Sequence, residues 1–503
     1  MTTSNQSSPS TGVSTSGGPE FSPARLALAP PNHPGRSRPK PLGVASAEDP
    51  DTIIGLKVAD ARHHLHVLGP TGTGKSTFIV NYVRAEVKAG RGVAVIDPKG
   101  DLTRDLLDRL PEGAGRRLVL IDPDEMQAPA AFNLLGLAPD PEDTCDELVG
   151  VMARVWHSTW GPRTDDLARH AILTLVHLPD ATLADLPRLL TDPVLRTLAL
   201  KHVAKADTVY RNGLEAFWDS WQMQSPGEIG RIAGPFVSKL RAVLSRRFAA
   251  QLYGTPRSTF SLDDILNGGI LLIRLPKLMG IDTVRLTGSL LLAALLHAAA
   301  KRADLPEHRR LDATIVLDEA HNFANLPIGL DDALAETRGW RVSWLLANQH
   351  LGQLSKATFD AIDANARNKI FFALAPGDAK HLVHHVAPYF EARDLVHRDA
   401  YGIVARIVID GRDSEPFTLL TRPSPPPIPG RADLLRAAAR ARGLSKADRD
   451  RLAEARRLGP LGKTAKASTK PDAAQHLQED NLTDTDDLTD TNETSILPPG
   501  AIT

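Results

Sequence analysis

A glycine-rich segment contains the first residues whose types and spacing could do chemistry. It fits the pattern G-x-x-x-x-G-K-[ST] and reads Gly69-Pro70-Thr71-Gly72-Thr73-Gly74-Lys75-Ser76. Such a loop leaves backbone N–H groups free to wrap an anion, and the helix after it presents its positive N-terminus to phosphate. The pattern places Lys75 at the β- and γ-phosphates of a nucleotide, the Ser76 hydroxyl on Mg²⁺ and Thr77 near the α-phosphate. We therefore predict a nucleotide site on residues 69–77.

An acidic pair follows an apolar stretch later in the chain. The stretch ATIVL (313–317) leads into Asp318 and Glu319, and ligands of parallel sheets bind where the strands end. Asp318 would hold Mg²⁺ directly or through water, and Glu319 would polarise the attacking water as a general base. The glutamate beside the aspartate favours an ATPase that turns over. Residues 318–321 also spell DEAH, but the other motifs of that helicase family are not visible in the chain.

Three further side chains could act on the terminal phosphate. Gln349 ends the apolar stretch SWLLAN, where an amide can contact the γ-phosphate or its water and report hydrolysis; the alternative is a glutamine that caps the loop. In ring-shaped ATPases an arginine of one subunit stabilises transition-state charge in its neighbour. Arg338 is the first candidate for this role in trans and Arg367 is the second, and for each the alternative is a surface salt bridge.

Seven apolar stretches of strand length alternate with helical stretches, which indicates a parallel sheet covered on both faces. They are LHVLG (65–69), GVAVID (92–97), RLVLID (117–122), GILLIRL (269–275), ATIVLD (313–318), WRVSWLLANQ (340–349) and KIFFAL (369–374). Between the third and the fourth, apolar residues recur at helical spacing. We therefore predict an α/β core with an inserted all-helical domain.

Composition at the two ends of the chain sets the remaining divisions. Both ends are poor in apolar residues, and such segments cannot offset the entropy cost of becoming ordered. The predicted divisions are a disordered arm (1–48), the first part of the core (49–140), the inserted helical domain (141–256), the second part of the core (257–425), a basic helical extension with a break at Gly443 (426–459) and a disordered acidic tail (460–503).

Overall composition excludes several classes of protein. The 503 residues carry a net charge of −1, so nucleic-acid contacts would come from local patches or from a ring of subunits. Cys145 is the single cysteine, which excludes a disulfide framework. The best candidate for a membrane span, residues 290–300, is about half the necessary length, and the N-terminus does not read as a secretory signal. We expect a cytoplasmic protein that does not insert itself into a membrane.

With these motifs assembled, the chain resembles the HerA/FtsK superfamily of P-loop motors, and specifically the TraG/TraD-like coupling ATPases of type IV secretion. The resemblance covers roughly residues 52–422. VAVIDPKGDL (93–102) is quite specific to the superfamily. The other stretches that support the resemblance are RHH (62–64), VLIDPDEMQAPAAFNLL (119–135), STWGPR (158–163), TLADLPRLLTD (182–192), AFWDSW (216–221), LDEAHNF (317–323), ETRGW (336–340) and ANQHLGQL (347–354).

The resemblance implies a RecA-like P-loop fold and a homohexameric ring that hydrolyses ATP with Mg²⁺ and pulls DNA through its channel. Four basic residues of the helical domain could face DNA or be solvated: Lys239, Arg241, Arg246 and Arg247. Membrane-bound coupling proteins usually have N-terminal transmembrane helices, and none is visible here. If the chain serves conjugation or secretion, a membrane-anchored partner must recruit it to the inner face of the membrane, or it belongs to a soluble subfamily. A relaxase or a nuclease is the other kind of protein partner that the resemblance implies.

Four functions are compatible with these motifs. The leading interpretation is an ATP-driven DNA translocase of the coupling-protein type in conjugative transfer. The alternatives are a HerA-like motor that works with a nuclease, an ATPase that delivers proteins to a secretion channel, and a scaffold that binds nucleotide without doing work. The intact Lys75, Ser76, Asp318 and Glu319 argue against the scaffold.

Overall fold

The computed structural model describes residues 25–461, except 46, 47, 50, 206, 207, 324, 325, 327 and 460. Its strands are β1 (Lys40–Val44), β2 (Ile53–Leu56), β3 (Leu65–Leu68), β4 (Gly92–Asp97), β5 (Leu118–Ile121), β6 (Ile270–Arg274), β7 (Ala313–Asp318), β8 (Val342–Asn348), β9 (Asn368–Phe371), β10 (Gly402–Arg406), β11 (Val408–Ile409), β12 (Arg412–Asp413) and β13 (Phe417–Leu420). Eleven of them form one sheet in the order β2-β1-β13-β10-β9-β3-β8-β7-β4-β6-β5, and β11 pairs with β12 alone.

The α-helices precede, follow or connect these strands. They are α1 (Val58–Ala61), α2 (Lys75–Lys88), α3 (Asp101–Arg109), α4 (Pro141–Val155), α5 (Pro162–Val176), α6 (Leu186–Thr191), α7 (Pro193–Val203), α8 (Thr208–Gln222), α9 (Pro226–Leu244), α10 (Arg247–Tyr253), α11 (Leu262–Leu266), α12 (Ile281–Ala300), α13 (Leu330–Gly339), α14 (Lys356–Asn365), α15 (Pro376–Leu382), α16 (Ala392–Val396), α17 (Arg431–Arg440) and α18 (Lys446–Leu458).

The seven apolar stretches of the sequence form the parallel half of the sheet, from β9 to β5. Every residue of the central strands β3, β4, β7 and β8 is buried, because helices cover both faces of the sheet. The predicted mostly parallel α/β sheet is confirmed. A second half, β10, β13, β1 and β2, continues the sheet with antiparallel pairing.

One face of the sheet packs against α2, α3 and α17, and the other packs against α12 and the helices inserted between β5 and β6. On the second face, Ile96, Trp218, Leu240 and Leu292 belong to one continuous hydrophobic core. The inserted helices α4 to α10 therefore form a layer on the sheet and share its core. Helix α12 is the one described helix that is long and apolar enough to cross a membrane, and 83% of its apolar window is buried.

The N-terminal side of the fold corrects the predicted arm. Residues 1–24 lie outside the described residues, but β1 at Lys40–Val44 lies inside the sheet between β2 and β13. Lys40 is only 1% exposed because its ammonium contacts Glu86 at 3.1 Å, Thr314 at 2.8 Å and Ser343 at 3.0 Å. A disordered arm through residue 48 is thus wrong for residues 34–44.

The described C-terminal side consists of two basic helices, α17 and α18, and α17 packs against the edge strand β5. Arg436 of α17 contacts Asp122 at 2.8 Å, and Arg440 contacts Glu125 at 2.7 Å. Gly443 lies between the two helices so close to the chain that an added Cβ would be 1.8 Å from the Ala128 carbonyl oxygen. The predicted acidic tail lies outside the described residues, apart from residue 461.

Candidate active site

The phosphate loop connects β3 to α2, and its glycines are required by its geometry. Gly72 and Gly74 have φ values of +88° and +110°, in the left-handed region that favours glycine. A Cβ at Gly74 would come within 2.8 Å of the Tyr401 ring, and one at Gly69 within 2.6 Å of Phe372. Because α2 begins at Lys75, its N-terminus faces the loop. The loop thus has the left-handed glycines and the adjoining helix N-terminus that an anion-binding loop requires.

The acidic pair lies beside this loop, at the end of β7. The Lys75 ammonium is 3.2 Å from Asp318 Oδ1 and 3.8 Å from Glu319 Oε1. All three side chains are buried, so the ammonium balances two carboxylates out of contact with bulk water. Glu319 has a φ of +54°, a conformation that is costly for this residue type and is typical of functional sites.

Three donors converge on the Glu319 carboxylate. The Lys99 ammonium donates to Oε1 at 2.6 Å, Gln349 also donates to Oε1, and Gln353 donates to Oε2 at 2.9 Å. Burial raises the pKa of Glu319, but the bonds from Lys99 and Gln349 and the charge of Lys75 outweigh it and lower this pKa to about 2. The carboxylate is therefore fully ionised at neutral pH.

The turn that holds Lys99 is fixed by Asp97 at the end of β4. The Asp97 carboxylate accepts hydrogen bonds from the backbone N–H groups of Lys99 at 2.9 Å, Gly100 at 2.7 Å and Thr103 at 2.8 Å. These bonds cap the start of α3. Burial raises the pKa of Asp97 above its usual value. The Arg274 side chain lies against Gly100 on the outer side of the turn.

A single cavity of about 270 Å³ joins these parts. Most of the predicted phosphate-loop residues line it, and so do Lys99 and Tyr401. Its lining is Pro70, Thr71, Gly72, Gly74, Lys75, Ser76, Thr77, Lys99, Asp101, Leu102, Asp318 and Tyr401. The Ser76 hydroxyl and the Asp318 carboxylate face the same space, and hard oxygen ligands of this kind suit Mg²⁺.

Solved structures share this architecture. TrwBdeltaN70, described as a bacterial conjugative coupling protein in its unbound monoclinic form, aligns with a TM-score of 0.53 at 16% identity, over 82% of this chain and 97% of that chain. The chain has the TrwB fold. The trigonal form of TrwBdeltaN70 with sulphate gives a TM-score of 0.51 at 18% identity, over 83% of this chain and 98% of that chain.

A third TrwB structure is a complex with the non-hydrolysable GTP analogue GDPNP. It aligns with a TM-score of 0.50 at 18% identity, over 82% of this chain and 97% of that chain. No protein-family model matches the sequence, and no curated protein matches it either. The three alignments confirm the fold that the resemblance implied.

Gln349 is another of the predicted residues that lie at this site. Its side chain bridges the phosphate loop and the acidic pair, because it accepts from Thr71 Oγ1 at 3.2 Å and donates to Glu319. Its backbone N–H donates to Gln353 Oε1 at 2.9 Å. Gln349 therefore contacts both halves of the site.

The two arginines lie elsewhere in the chain. Arg338 and Arg367 come just before β8 and β9. They therefore lie at the amino-terminal ends of the parallel strands, whereas the phosphate loop follows the carboxyl end of β3. Arg367 contacts Asp413 at 2.7 Å and His63 at 3.3 Å. Arg338 is exposed and makes no side-chain hydrogen bond or ion pair with the described residues. Neither reaches the cavity of its own chain.

Sequence reasoning missed three residues of the site. Lys99 belongs to the DPKGDL stretch, which supports the family resemblance but by itself indicates no chemical role for the lysine. Gln353 follows Gln349 by four residues on the same loop, and that spacing was an available signal. No sequence signal marked Tyr401. Its backbone has a φ of +71° and is held by two hydrogen bonds, from its N–H to the Thr73 carbonyl at 2.9 Å and from the Thr421 N–H to its own carbonyl at 2.8 Å.

Proposed function

We propose that the protein is an ATP-hydrolysing DNA translocase of the type IV secretion coupling type, which moves DNA or a nucleoprotein in conjugative transfer. One observation carries the proposal: a phosphate loop, Asp318 and Glu319 meet at a single site in a chain with the TrwB fold. The GTP-analogue complex of TrwB supports a nucleotide ligand for this fold. ATP as the nucleotide and Mg²⁺ as its metal are part of the proposal.

The contacts suggest how hydrolysis would proceed. The loop N–H groups would bind the phosphates, and the Lys75 ammonium would turn from Asp318 to the β- and γ-phosphate oxygens. Ser76 and Asp318 would hold Mg²⁺, which when bound neutralises charge on the phosphate oxygens. Glu319 would accept the proton of the attacking water, and Gln349 would orient that water.

A homohexameric ring would complete the site with an arginine from the neighbouring subunit. Arg338 is the stronger candidate, because its guanidinium is exposed and unpaired among the described residues, whereas Asp413 holds that of Arg367. Arg241, Arg246 and Arg247 are also exposed. Repeated six times, they would give a near-neutral subunit a basic channel for DNA.

The location and the partners of the motor are further parts of the proposal. We place it in the cytoplasm, recruited to the inner face of the membrane by a membrane-anchored or relaxase partner. The same site and fold also fit two other tasks: DNA processing beside a nuclease, as in HerA-like motors, or delivery of protein substrates to a secretion channel.

The test is ATP and GTP hydrolysis with and without single- and double-stranded DNA. Wild-type protein should hydrolyse ATP faster with DNA, and Lys75→Ala should abolish hydrolysis. Lys356→Ala is the matched control, because the Lys356 side chain is 91% exposed and does not line the cavity. Hydrolysis that ignores DNA would favour a protein cargo, and nucleotide binding without hydrolysis under any condition would overturn the motor.

Mixed rings test the arginine in trans. Arg338→Ala alone should lower hydrolysis by roughly 10³- to 10⁵-fold. Mixing Arg338→Ala with Lys75→Ala subunits should restore part of the activity, because some sites then combine an intact Lys75 with a neighbour's intact Arg338. Arg367→Ala serves as the comparison. Activity that is lost in Arg338→Ala and not restored by mixing would contradict a role in trans.

A further inference from the structure

The backbone of Lys99 is fixed by several hydrogen bonds, whereas its side chain has a single partner among the described residues. Asp97 fixes the turn through three backbone N–H groups, while the Lys99 ammonium has Glu319 as its one side-chain partner among the described residues. The Lys99 side chain is 37% exposed and lines the cavity, whereas that of Glu319 is 1% exposed. The ammonium can therefore move into the cavity without breaking any other described bond.

The Glu319 carboxylate has one lone pair left for a water, on Oε2, while these contacts hold. Its Oε1 accepts from both Lys99 and Gln349, which uses both lone pairs of that oxygen, and its Oε2 accepts from Gln353. A general base needs an oxygen that is free to bond to the attacking water. Departure of Lys99 would open Oε1 as well and would leave the carboxylate a stronger proton acceptor, because its paired ammonium is gone. Lys99 is also the donor with a charge that a phosphate would attract.

We propose that Lys99 is a positioning residue that senses the terminal phosphate: its ammonium pairs with Glu319 until a triphosphate fills the cavity, and then moves to the γ-phosphate and frees the carboxylate. The proposal rests on the proposed nucleotide site. It ties activation of the attacking water to the presence of a complete triphosphate. A diphosphate lacks the oxygens that would draw Lys99 away, so Glu319 would stay paired when ADP is bound.

The geometry separates this pair from an ordinary structural ion pair. In the buried pair Lys40–Glu86 both side chains are at most 1% exposed, and the ammonium also contacts two hydroxyls. Lys99 has neither property. Its position at the cavity wall, on the same lining as Lys75 and Ser76, places it within the space that phosphates would occupy.

Binding of two nucleotides tests the proposal without relying on turnover. The dissociation constants of ADP and of the non-hydrolysable analogue ADPNP, each with Mg²⁺, would be measured by calorimetry for wild type, Lys99→Met, Lys99→Arg and the control Lys356→Met. We expect Lys99→Met to weaken ADPNP by roughly ten- to a hundredfold, the range for a hydrogen bond to a charged group, and ADP by less than about twofold. Lys99→Arg should recover most of the ADPNP affinity.

Each other outcome has a distinct meaning. Equal weakening of ADP and ADPNP in Lys99→Met would overturn the proposal, because it would indicate general damage to the site. Unchanged ADPNP affinity would overturn it too. If wild-type protein binds neither nucleotide, the proposed function itself fails. Thermal unfolding of each variant checks that Lys99→Met is folded, and Lys99→Arg keeps the test valid if it is not.

Discussion

Two buried clusters of this molecule pair lysine with glutamate, and they differ in what surrounds them. In the first, Lys40 contacts Glu86 at 3.1 Å, and Arg91 contacts the same carboxylate at 2.6 Å. In the second, Lys75 and Lys99 contact Glu319. The first cluster lies inside the fold with its partners on all sides, whereas two members of the second line a cavity.

The titration of the two glutamates does not distinguish the clusters. Burial raises the pKa of Glu86, yet the charges of Lys40 and Arg91 lower it to about 2, and the pKa of Glu319 is also lowered to about 2. A perturbed carboxylate is thus no proof of a functional site. What differs is whether the cationic partner can exchange the carboxylate for a ligand. Lys40 cannot, because Thr314 and Ser343 enclose it.

The largest expected effect separates the clusters by activity. Glu319→Gln should lower ATP hydrolysis at least 10²- to 10⁴-fold, the usual range for loss of a general base, while ATP binding persists. Steady-state hydrolysis and calorimetric binding would be measured together. Glu86→Gln is the matched change in the other cluster, and its activity per folded molecule should stay near that of wild type. Equal loss of activity in both variants would break the comparison.

The next expected effect concerns stability, and here the change in the first cluster should cost more than the change in the second. Glu86→Gln leaves Lys40 and Arg91 buried without their counter-charge, which should cost about 3–5 kcal/mol of unfolding free energy. Glu319→Gln should cost much less, because Lys99 can turn to solvent. Urea unfolding monitored by circular dichroism measures both. A Glu319→Gln protein as unstable as Glu86→Gln would mean that the second cluster also holds the fold together.

A pH series separates the titration of two buried histidines from that of the two clusters, whose glutamates should stay charged above pH 4.5. Burial lowers the pKa of His64 to about 4 and that of His66 to about 3. Because an unfolded histidine titrates near 6.5, the stability that these neutral rings provide is complete above pH 6.5 and is lost as the pH falls toward 4 and 3. Each should cost about 2 kcal/mol between pH 7.5 and 5.

The two glutamates contribute in a lower window. Their folded pKa of about 2 lies below the unfolded value, so their contribution is complete above about pH 4.5 and is lost toward pH 2. Unfolding curves of wild type and His66→Leu between pH 7.5 and 5 check the assignment, and His66→Leu should flatten the slope. If Glu86→Gln removed part of the pH dependence of the unfolding free energy between pH 7.5 and 5, the first cluster would titrate at a higher pH than expected.

The smallest expected effect provides the baseline for both clusters. Lys356 and Asp360 form an exposed ion pair at 3.3 Å, one helical turn apart on α14. Lys356→Ala should change the unfolding free energy by less than about 0.5 kcal/mol, because water screens such pairs. Urea unfolding at low and high salt measures it. A larger cost would mean that lysine–carboxylate pairs stabilise this protein regardless of burial.

The parts of the molecule that could be predicted from sequence are those set by local pattern. Strands buried on both faces need continuous apolar stretches, so the parallel half of the sheet was visible in the sequence. The phosphate loop, Asp318 and Gln349 could be proposed as site residues because each stands at a fixed offset from such a strand. Local chemistry dictates these positions before any tertiary contact forms.

The missed parts depend on residues that are distant in the chain. In the sequence, Lys40 is a polar residue in a proline-flanked segment. Only in the folded protein do Thr314 and Ser343 surround it, and this is why the predicted arm extended too far. Lys99 bonds to Glu319 across 220 positions. Tyr401 reaches the phosphate loop through a backbone bond to Thr73. No local pattern encodes these distances.

The position of β1 in the sheet has a consequence for how the chain is made. A ribosome that adds roughly 5–20 residues per second needs about 15–60 s to proceed from Lys40 to Ser343, and longer to reach β13, on which β1 packs. Throughout that interval the nascent chain contains an ammonium whose burial site does not yet exist. Strand β1, the first of the described strands to leave the exit tunnel, is therefore among the last to reach its final position, and chains released early would expose it.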